Sequence, residues 1–150
     1  MQDIIFGQLW RLFLGVEIIF EERIGEAIKK IADHAEERML EAVDEVRDVT
    51  LDTLSGSRSG RQYRVPGTGV YYTASAPGEP PAVQLGDLRK SVKGGIEKEG
   101  KDIIGFVGSE LPKASMLEMG TSKMLPRPWL RPSFEKSVDK VKSIFVRIWF

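Results

Sequence analysis

The sequence predicts an α+β fold with a long N-terminal helix, a small antiparallel β-sheet with extended loops, and a C-terminal helix. Three observations indicate this. Apolar residues recur every three or four positions over residues 3–54, which is the period of an α-helix. Two short strand-like runs separated by a glycine-containing turn follow over residues 88–107, as in a β-hairpin. A second helical period begins near Pro132.

The length of the N-terminal helix is informative. A continuous helix over residues 3–54 would be about 75 Å long, whereas a compact domain of this size is only about 40 Å across. We therefore expect one of two arrangements. Either the helix breaks, with Gly15 or Gly25 the expected points because glycine weakens a helix, or one end projects onto a neighbouring subunit.

The middle of the chain is loop-like. Residues 55–69 are small, polar and basic, which predicts a loop or a weak hairpin, and Tyr71 and Tyr72 begin or flank a short strand. Three prolines and a glycine in residues 75–82 predict an ordered, extended loop. We expect residues 55–87 to form one extended loop region.

A hairpin is predicted next. Residues 88–98 are interpreted as a strand, and Gly94 and Gly95 suggest a bulge within it. Residues 99–102 form the turn, and residues 103–107 form the second strand.

Two helices are predicted after the hairpin. The first covers residues 114–119 and ends at Gly120, a residue that commonly terminates helices. The second has Pro132 near its first turn, where the missing N–H costs little. Its predicted apolar face contains Phe134, Val138, Val141, Phe145 and Ile148.

Composition limits the classes of function. The chain has 150 residues with 22 basic and 22 acidic side chains, so no net charge attracts it to nucleic acid or to an anionic membrane. Cysteine is absent, which excludes disulfides, thiolate catalysis and cysteine-ligated zinc. Because His34 is the single histidine, a multi-histidine metal site within one chain is also excluded. We expect no cofactor.

No internal repeat or shift in composition marks a boundary. We therefore expect a single domain over residues 1–150, made of a helical part (1–54), the extended loop region (55–87), and a part containing the hairpin, short helix and C-terminal helix (88–150). The apolar run at the N-terminus is interrupted by charged residues, so we expect neither a membrane-spanning segment nor a cleaved signal.

Six short sequence motifs in a fixed order are the most informative feature of the chain. They are Gly60-Arg-Gln-Tyr63, Ser75-Ala-Pro-Gly-Glu-Pro-Pro81, Gly86-Asp-Leu-Arg-Lys-Ser91, Val107-Gly-Ser109, Leu117-Glu-Met-Gly-Thr121 and Arg127-Pro-Trp-Leu-Arg-Pro132. In this order they resemble the head–tail joining (tail-completion) family of long-tailed bacteriophages and prophages, over residues 60–134, about half the chain. Lys113, Met116 and Met119 depart from the family pattern, which has aromatic residues at those positions.

The resemblance implies a structural protein of the virion neck, not an enzyme. It implies a ring, with six-fold order favoured, around the channel that DNA crosses, assembled in the host cytoplasm. The implied partners are other copies of the chain, head-closure, tail-terminator and tail-tube subunits, and non-specifically bound DNA. We expect specific contacts with partners or neighbouring subunits to come from the proline loop and the Gly120–Pro132 segment. The expected interface residues are Pro77, Glu79, Pro80, Glu118, Thr121, Arg127, Trp129 and Arg131.

Two acidic residues of these motifs are expected to make specific contacts, with two alternatives for each. Glu79 either anchors an arginine of a partner or caps free N–H groups of its own loop. Glu118 is expected to pair with Arg127 or Arg131, because the planar guanidinium suits a carboxylate.

A basic loop provides the main alternative function. Arg58, Arg61 and Arg64 could contact phosphates in a DNA channel, with Tyr63 stacking, or the loop could be a solvated segment that orders against a neighbour. The alternative to a neck protein is therefore a nucleic-acid-binding accessory protein. An enzyme would require converging polar groups that the sequence does not offer, and a peripheral membrane protein would use residues 4–20.

Overall fold

The computed structural model describes residues 20–100 and 102–147, with side chains described from residue 25 onward. Helices and two antiparallel two-stranded sheets alternate along the described chain, which confirms the α+β class. The elements are α1 (Phe20–Ser55), β1 (Gln62–Arg64), β2 (Tyr71–Thr73), α2 (Asp87–Ser91), β3 (Lys93–Glu99), β4 (Asp102–Gly108), α3 (Pro112–Met119) and α4 (Leu130–Val146).

The helix α1 confirms the predicted N-terminal helix from Phe20 onward and passes through Gly25 without a break. The predicted helical residues 3–19, including Gly15, lie outside the described residues. Residue contacts divide the chain into two compact units, residues 1–34 and 35–150, so the division falls within the predicted helical part. None of the described helices is long and apolar enough to cross a membrane.

The β3–β4 hairpin corrects two predictions. The first half of the predicted strand over residues 88–98 is wrong, because residues up to Ser91 form the short helix α2, which follows Gly86 with φ 79°. The predicted bulge at Gly94 and Gly95 is also wrong. The two strands pair residue for residue, from Lys93 opposite Gly108 to Glu99 opposite Asp102.

Glycines in this hairpin allow α1 to lie directly against it. A methyl group at Gly94 would lie 2.7 Å from Cγ1 of Val43. A methyl group at Gly105 would lie 2.7 Å from Cγ2 of Val43 and 2.8 Å from the sulfur of Met39. Lys98, on the same face of the sheet, pairs with Glu36 of α1. The glycines therefore serve the close packing of helix and sheet.

The hydrophobic core lies at the junction of the carboxyl half of α1, α2 and α3. Its buried members are Leu54, Leu88, Val92, Ala114 and Trp129. The indole Nε1 of Trp129 donates to the carbonyl oxygen of Ala114 at 3.2 Å, so the polar atom of this buried ring is satisfied.

The remaining elements agree largely with prediction. The weak hairpin is formed by β1 and β2, with Tyr63 opposite Tyr72. The short helix α3 ends at Gly120, whose φ is 77°. Pro132 is the third residue of α4, and the predicted Ile148 lies outside the described residues.

The predicted apolar face of α4 is not the face that is most buried. Ser133, Ser137 and Ile144 are almost fully buried, whereas Phe134 retains 55 % of its exposure. The apolar face instead borders a groove of about 590 Å³ between α1, β4 and α4. Its walls include Met39, Val43, Phe106, Phe134, Val141 and Phe145.

Candidate assembly interface

Several of the motifs that resemble the phage family lie near the carboxyl end of α1. The proline loop (residues 75–81) turns at Gly78, whose φ is 83°. Within the loop, the N–H of Glu79 donates to the carbonyl oxygen of Ala76 at 3.1 Å. Three side chains, Arg58, Glu79 and Arg127, hold this loop against the rest of the fold.

Arg58 caps the end of α1 and holds the end of the proline loop. Its Nη2 donates to the carbonyl oxygens of Thr53 at 2.8 Å and Leu54 at 3.2 Å, which are among the helix carbonyls that lack intrahelical partners. Nη2 and Nε also donate to the carbonyl oxygen of Pro81 at 3.1 and 3.2 Å. Burial lowers the pKa of Arg58, and the charge of Glu79 partly offsets this.

These contacts correct the prediction that Arg58 is available to DNA. Its guanidinium also donates to the carbonyl oxygens of Gly56 at 2.6 Å and Ser57 at 2.9 Å. Each of its three nitrogens is therefore used within the fold, so only Arg61 and Arg64 remain as candidates for contact with phosphate.

Glu79 adopts the loop-capping role, one of the two alternatives predicted for it. Its carboxylate accepts hydrogen bonds from the hydroxyl of Ser59 at 2.5 Å, the N–H of Ser59 at 3.1 Å and the N–H of Ala76 at 2.9 Å. The hydroxyl of Ser59, followed by these two N–H groups, lowers the pKa of Glu79. The carboxylate thereby joins the proline loop to the segment that follows α1.

Arg127 holds the other side of the proline loop. Its Nη1 donates to the hydroxyl of Ser75 at 2.6 Å, and its backbone N–H donates to the carbonyl oxygen of Leu117 at 2.8 Å. The N–H of Gly78 donates to the carbonyl oxygen of Pro126 at 3.2 Å. Residues 75–78 are therefore tied to the segment that leads into α4.

Glu118 caps the N-terminus of α4 instead of forming the predicted ion pair with Arg127 or Arg131. Its carboxylate accepts from the N–H groups of Trp129 at 2.7 Å, Leu130 at 2.9 Å and Arg131 at 2.9 Å. A negative charge at this position satisfies free donors and is favoured by the helix dipole. The side chain of Arg131 pairs with Glu135 at 3.1 Å.

The predicted interface residues differ in exposure. Pro77, Thr121 and Arg131 are exposed, and Pro80 is half-buried. Trp129 is only 2 % exposed, so its side chain belongs to the core and cannot meet a partner directly. Glu79, Glu118 and Arg127 are half-buried and serve to hold loops in place.

The loops held by these residues present apolar side chains that the sequence analysis did not select. A pocket of about 430 Å³ lies among the proline loop, α2 and α3. Isolated apolar residues in loops give no periodic signal, and a helix as short as α3 gives little, so only the structure shows which of these residues are exposed. Around this pocket and the turn after α3, the exposed apolar residues are Val83, Leu85, Met116, Met119 and Leu125.

Comparisons with known proteins add no assignment. No protein-family model matches the chain, and neither a search of curated proteins nor a search of solved structures finds a match. Within residues 20–100 and 102–147, no group of three or more His, Asp or Glu side chains is arranged to hold a metal ion.

Proposed function

We propose that this chain is a structural virion protein of a tailed bacteriophage or prophage that completes or joins the tail at the head–tail junction. In this proposal it forms a ring around the DNA channel, and it contacts neighbouring copies and other neck and tail proteins. The sequence order of the motifs over residues 60–134 supports this proposal. The six-fold symmetry of the ring rests on the resemblance alone.

One observation carries the proposal: motifs that are far apart in the sequence are joined by hydrogen bonds into one ordered group of loops. Glu79, Arg127 and Glu118 each accept or donate hydrogen bonds between segments at least ten residues apart. A contact surface that is already ordered loses less conformational entropy when a partner binds. Such bracing suits a protein that recognises fixed partners during assembly.

The same loops display the kind of side chain that forms protein contacts. Leu85 is 62 % exposed, Met119 is 73 % exposed and Leu125 is 65 % exposed. Leu85 lines the pocket that also includes Thr121 and Met124, and Met119 and Leu125 lie on either side of those two residues in the sequence. Exposed apolar groups around a pocket indicate contact with another protein, and methionine adapts readily to a partner surface. We assign this surface, defined by Leu85, Met119 and Leu125, to contacts with neck partners or neighbouring copies, and call it the loop surface.

The alternative, a nucleic-acid-binding accessory protein using residues 58–64, has less support. Arg58 is used as a helix cap, which leaves two arginines in that segment for an external partner. A ring with braced contact loops accounts for more of the motif residues than this alternative does.

The test is electron microscopy of particles produced without the gene and then complemented. We expect DNA-filled heads beside separate tails of normal length, and joined virions after complementation with the wild-type chain. Tails of uncontrolled length would replace the joining role with tail termination. Intact infectious virions in the absence of the gene would overturn the proposal.

Two matched variants test the loop surface. Met119→Lys places one charge on the proposed contact and should fail to complement. Val146→Lys places charge on another exposed apolar residue, which is 80 % exposed and lies at the end of α4. It should complement. Equal complementation by both would remove the loop surface from the proposal.

A further inference from the structure

The β1–β2 hairpin and its flanking residues differ in charge from the rest of the chain. Residues 53–78 contain three arginines and no acidic residue or lysine, in a chain with 22 basic and 22 acidic side chains. The remainder of the chain therefore has an excess of three acidic residues. Glu79, the next acidic residue along the chain, is occupied by Ser59 and Ala76. The hairpin is a local positive element on a neutral protein.

The two arginines of this hairpin have no carboxylate partner. Arg61 is exposed and makes no side-chain hydrogen bond or ion pair with residues 20–100 or 102–147. Arg64 is exposed and donates from Nε to the carbonyl oxygen of Thr68 at 2.8 Å, and its two terminal nitrogens make no hydrogen bond with the described residues. Six other cations of the described residues do pair with a carboxylate: Lys93, Lys98, Lys113, Arg131, Lys142 and Arg147. What distinguishes Arg61 and Arg64 is that the surrounding segment, residues 53–78, contains no acidic residue.

The hairpin also has exposed tyrosine rings and an open tip that contains glycine. Arg64 lies opposite Tyr71, which is 66 % exposed, and Tyr63 lies opposite Tyr72 with ring centroids 6.1 Å apart. The tip contains Gly67, and nothing lies within 4 Å of a methyl group built there. An anionic backbone can therefore approach the tip closely. A two-stranded ribbon is also narrow enough to enter the major groove of duplex DNA.

We propose that the β1–β2 hairpin contacts the phosphate backbone of double-stranded DNA through Arg61 and Arg64, without sequence specificity. The inference rests on the proposed function, because a position at the neck brings duplex DNA to the ring. Arginine donates two parallel hydrogen bonds to a phosphate, and exposed tyrosine hydroxyls add further donors.

Titration of the full-length protein with a short random-sequence duplex tests this directly. Wild-type affinity should fall steeply between about 50 and 200 mM salt, since each phosphate contact contributes about 0.9 to the logarithmic salt slope. Arg61→Ala with Arg64→Ala should weaken binding at least about tenfold and reduce the slope by about two per protomer. Arg61→Lys with Arg64→Lys keeps the charge and should retain most of the slope.

A control with the same loss of charge separates the hairpin from general attraction. Lys93→Ala with Lys142→Ala removes two exposed cations outside the hairpin, and it should leave DNA binding unchanged. Circular dichroism should show all variants folded. An equal loss of affinity in this control, or wild-type binding that is absent or insensitive to salt, would overturn the inference.

The complementation assay distinguishes this inference from the proposed function. If the gene is needed for joining but wild-type protein does not bind DNA, the hairpin inference fails and the neck function stands. If virions form without the gene, the neck function fails. If the Arg61→Ala, Arg64→Ala variant loses ring assembly in light scattering without any DNA binding by the wild type, the hairpin binds protein, and the DNA inference is overturned.

Discussion

Replacing Glu118 by alanine should destabilise the fold more than most single changes in its loops. The carboxylate accepts three N–H groups at the start of α4, from Trp129, Leu130 and Arg131. A lost N-cap costs about 0.5–2 kcal/mol, and hydrogen bonds to a charged group contribute about 1.5–3 kcal/mol. Because the N–H groups of Trp129 and Leu130 are partly buried, water replaces the carboxylate incompletely. We therefore expect a loss of about 3 kcal/mol in the free energy of unfolding.

Urea denaturation monitored by tryptophan fluorescence measures this loss, and a thermal scan should show Tm lowered by about 6–12 °C. Glu118→Gln retains one acceptor oxygen and should lose about 1 kcal/mol, because the charge is removed. Glu110→Ala is the control, since its partner Lys93 is exposed, and a surface pair contributes at most about 1 kcal/mol. The capping argument is refuted if Glu118→Ala unfolds within about 0.5 kcal/mol of the wild type.

Three further changes test other contacts. Gly105→Ala should lower the free energy of unfolding by about 1–3 kcal/mol, because the added methyl group meets Val43. In urea denaturation, Val43→Ala in the same chain should recover part of that loss. No recovery would contradict the packing argument. Arg58→Ala should lower the midpoint of thermal unfolding because it removes the cap of α1, whereas Arg61→Ala should leave the midpoint unchanged. Equal midpoints for the two variants would contradict the capping role of Arg58. The folded-state pKa of Glu79 is lowered, so its stabilisation is present above the ordinary glutamate pKa of about 4.3 and is lost as pH falls through the folded pKa. The stability difference between wild type and Glu79→Gln should therefore shrink on acidification, and a constant difference would oppose the assignment.

Local patterns predicted much of the fold, because helical period and turn residues act over a few positions. The carboxyl half of α1, the β3–β4 hairpin, the end of α3 at Gly120 and the start of α4 near Pro132 follow from such patterns. The short helix α2 was missed, since five residues give too few turns for a period to be visible.

Glycine in a strand illustrates why other features could not be predicted. The same signal indicates either a bulge or a close approach by another element. At Gly94 the choice depends on Val43, a residue of a distant helix that sequence alone does not place there. Likewise, charge sign suggested that Glu118 pairs with Arg127 or Arg131. The structure instead places Glu118 beside N–H groups at the start of α4 that lack intrahelical acceptors.

The arrangement of α4 bears on the proposed assembly. The helix buries serines at 133 and 137, while Phe134 remains 55 % exposed beside the groove that includes Val43 and Phe106. Burying apolar surface contributes about 25 cal/mol per Å², so leaving an aromatic ring exposed forgoes stabilisation within a single chain. The hydrogen bonds that hold the loops form within a single copy, while the ring of Phe134 stays exposed. Stability of one copy and coverage of its apolar surface are therefore separate properties, as the proposed assembly after folding would require.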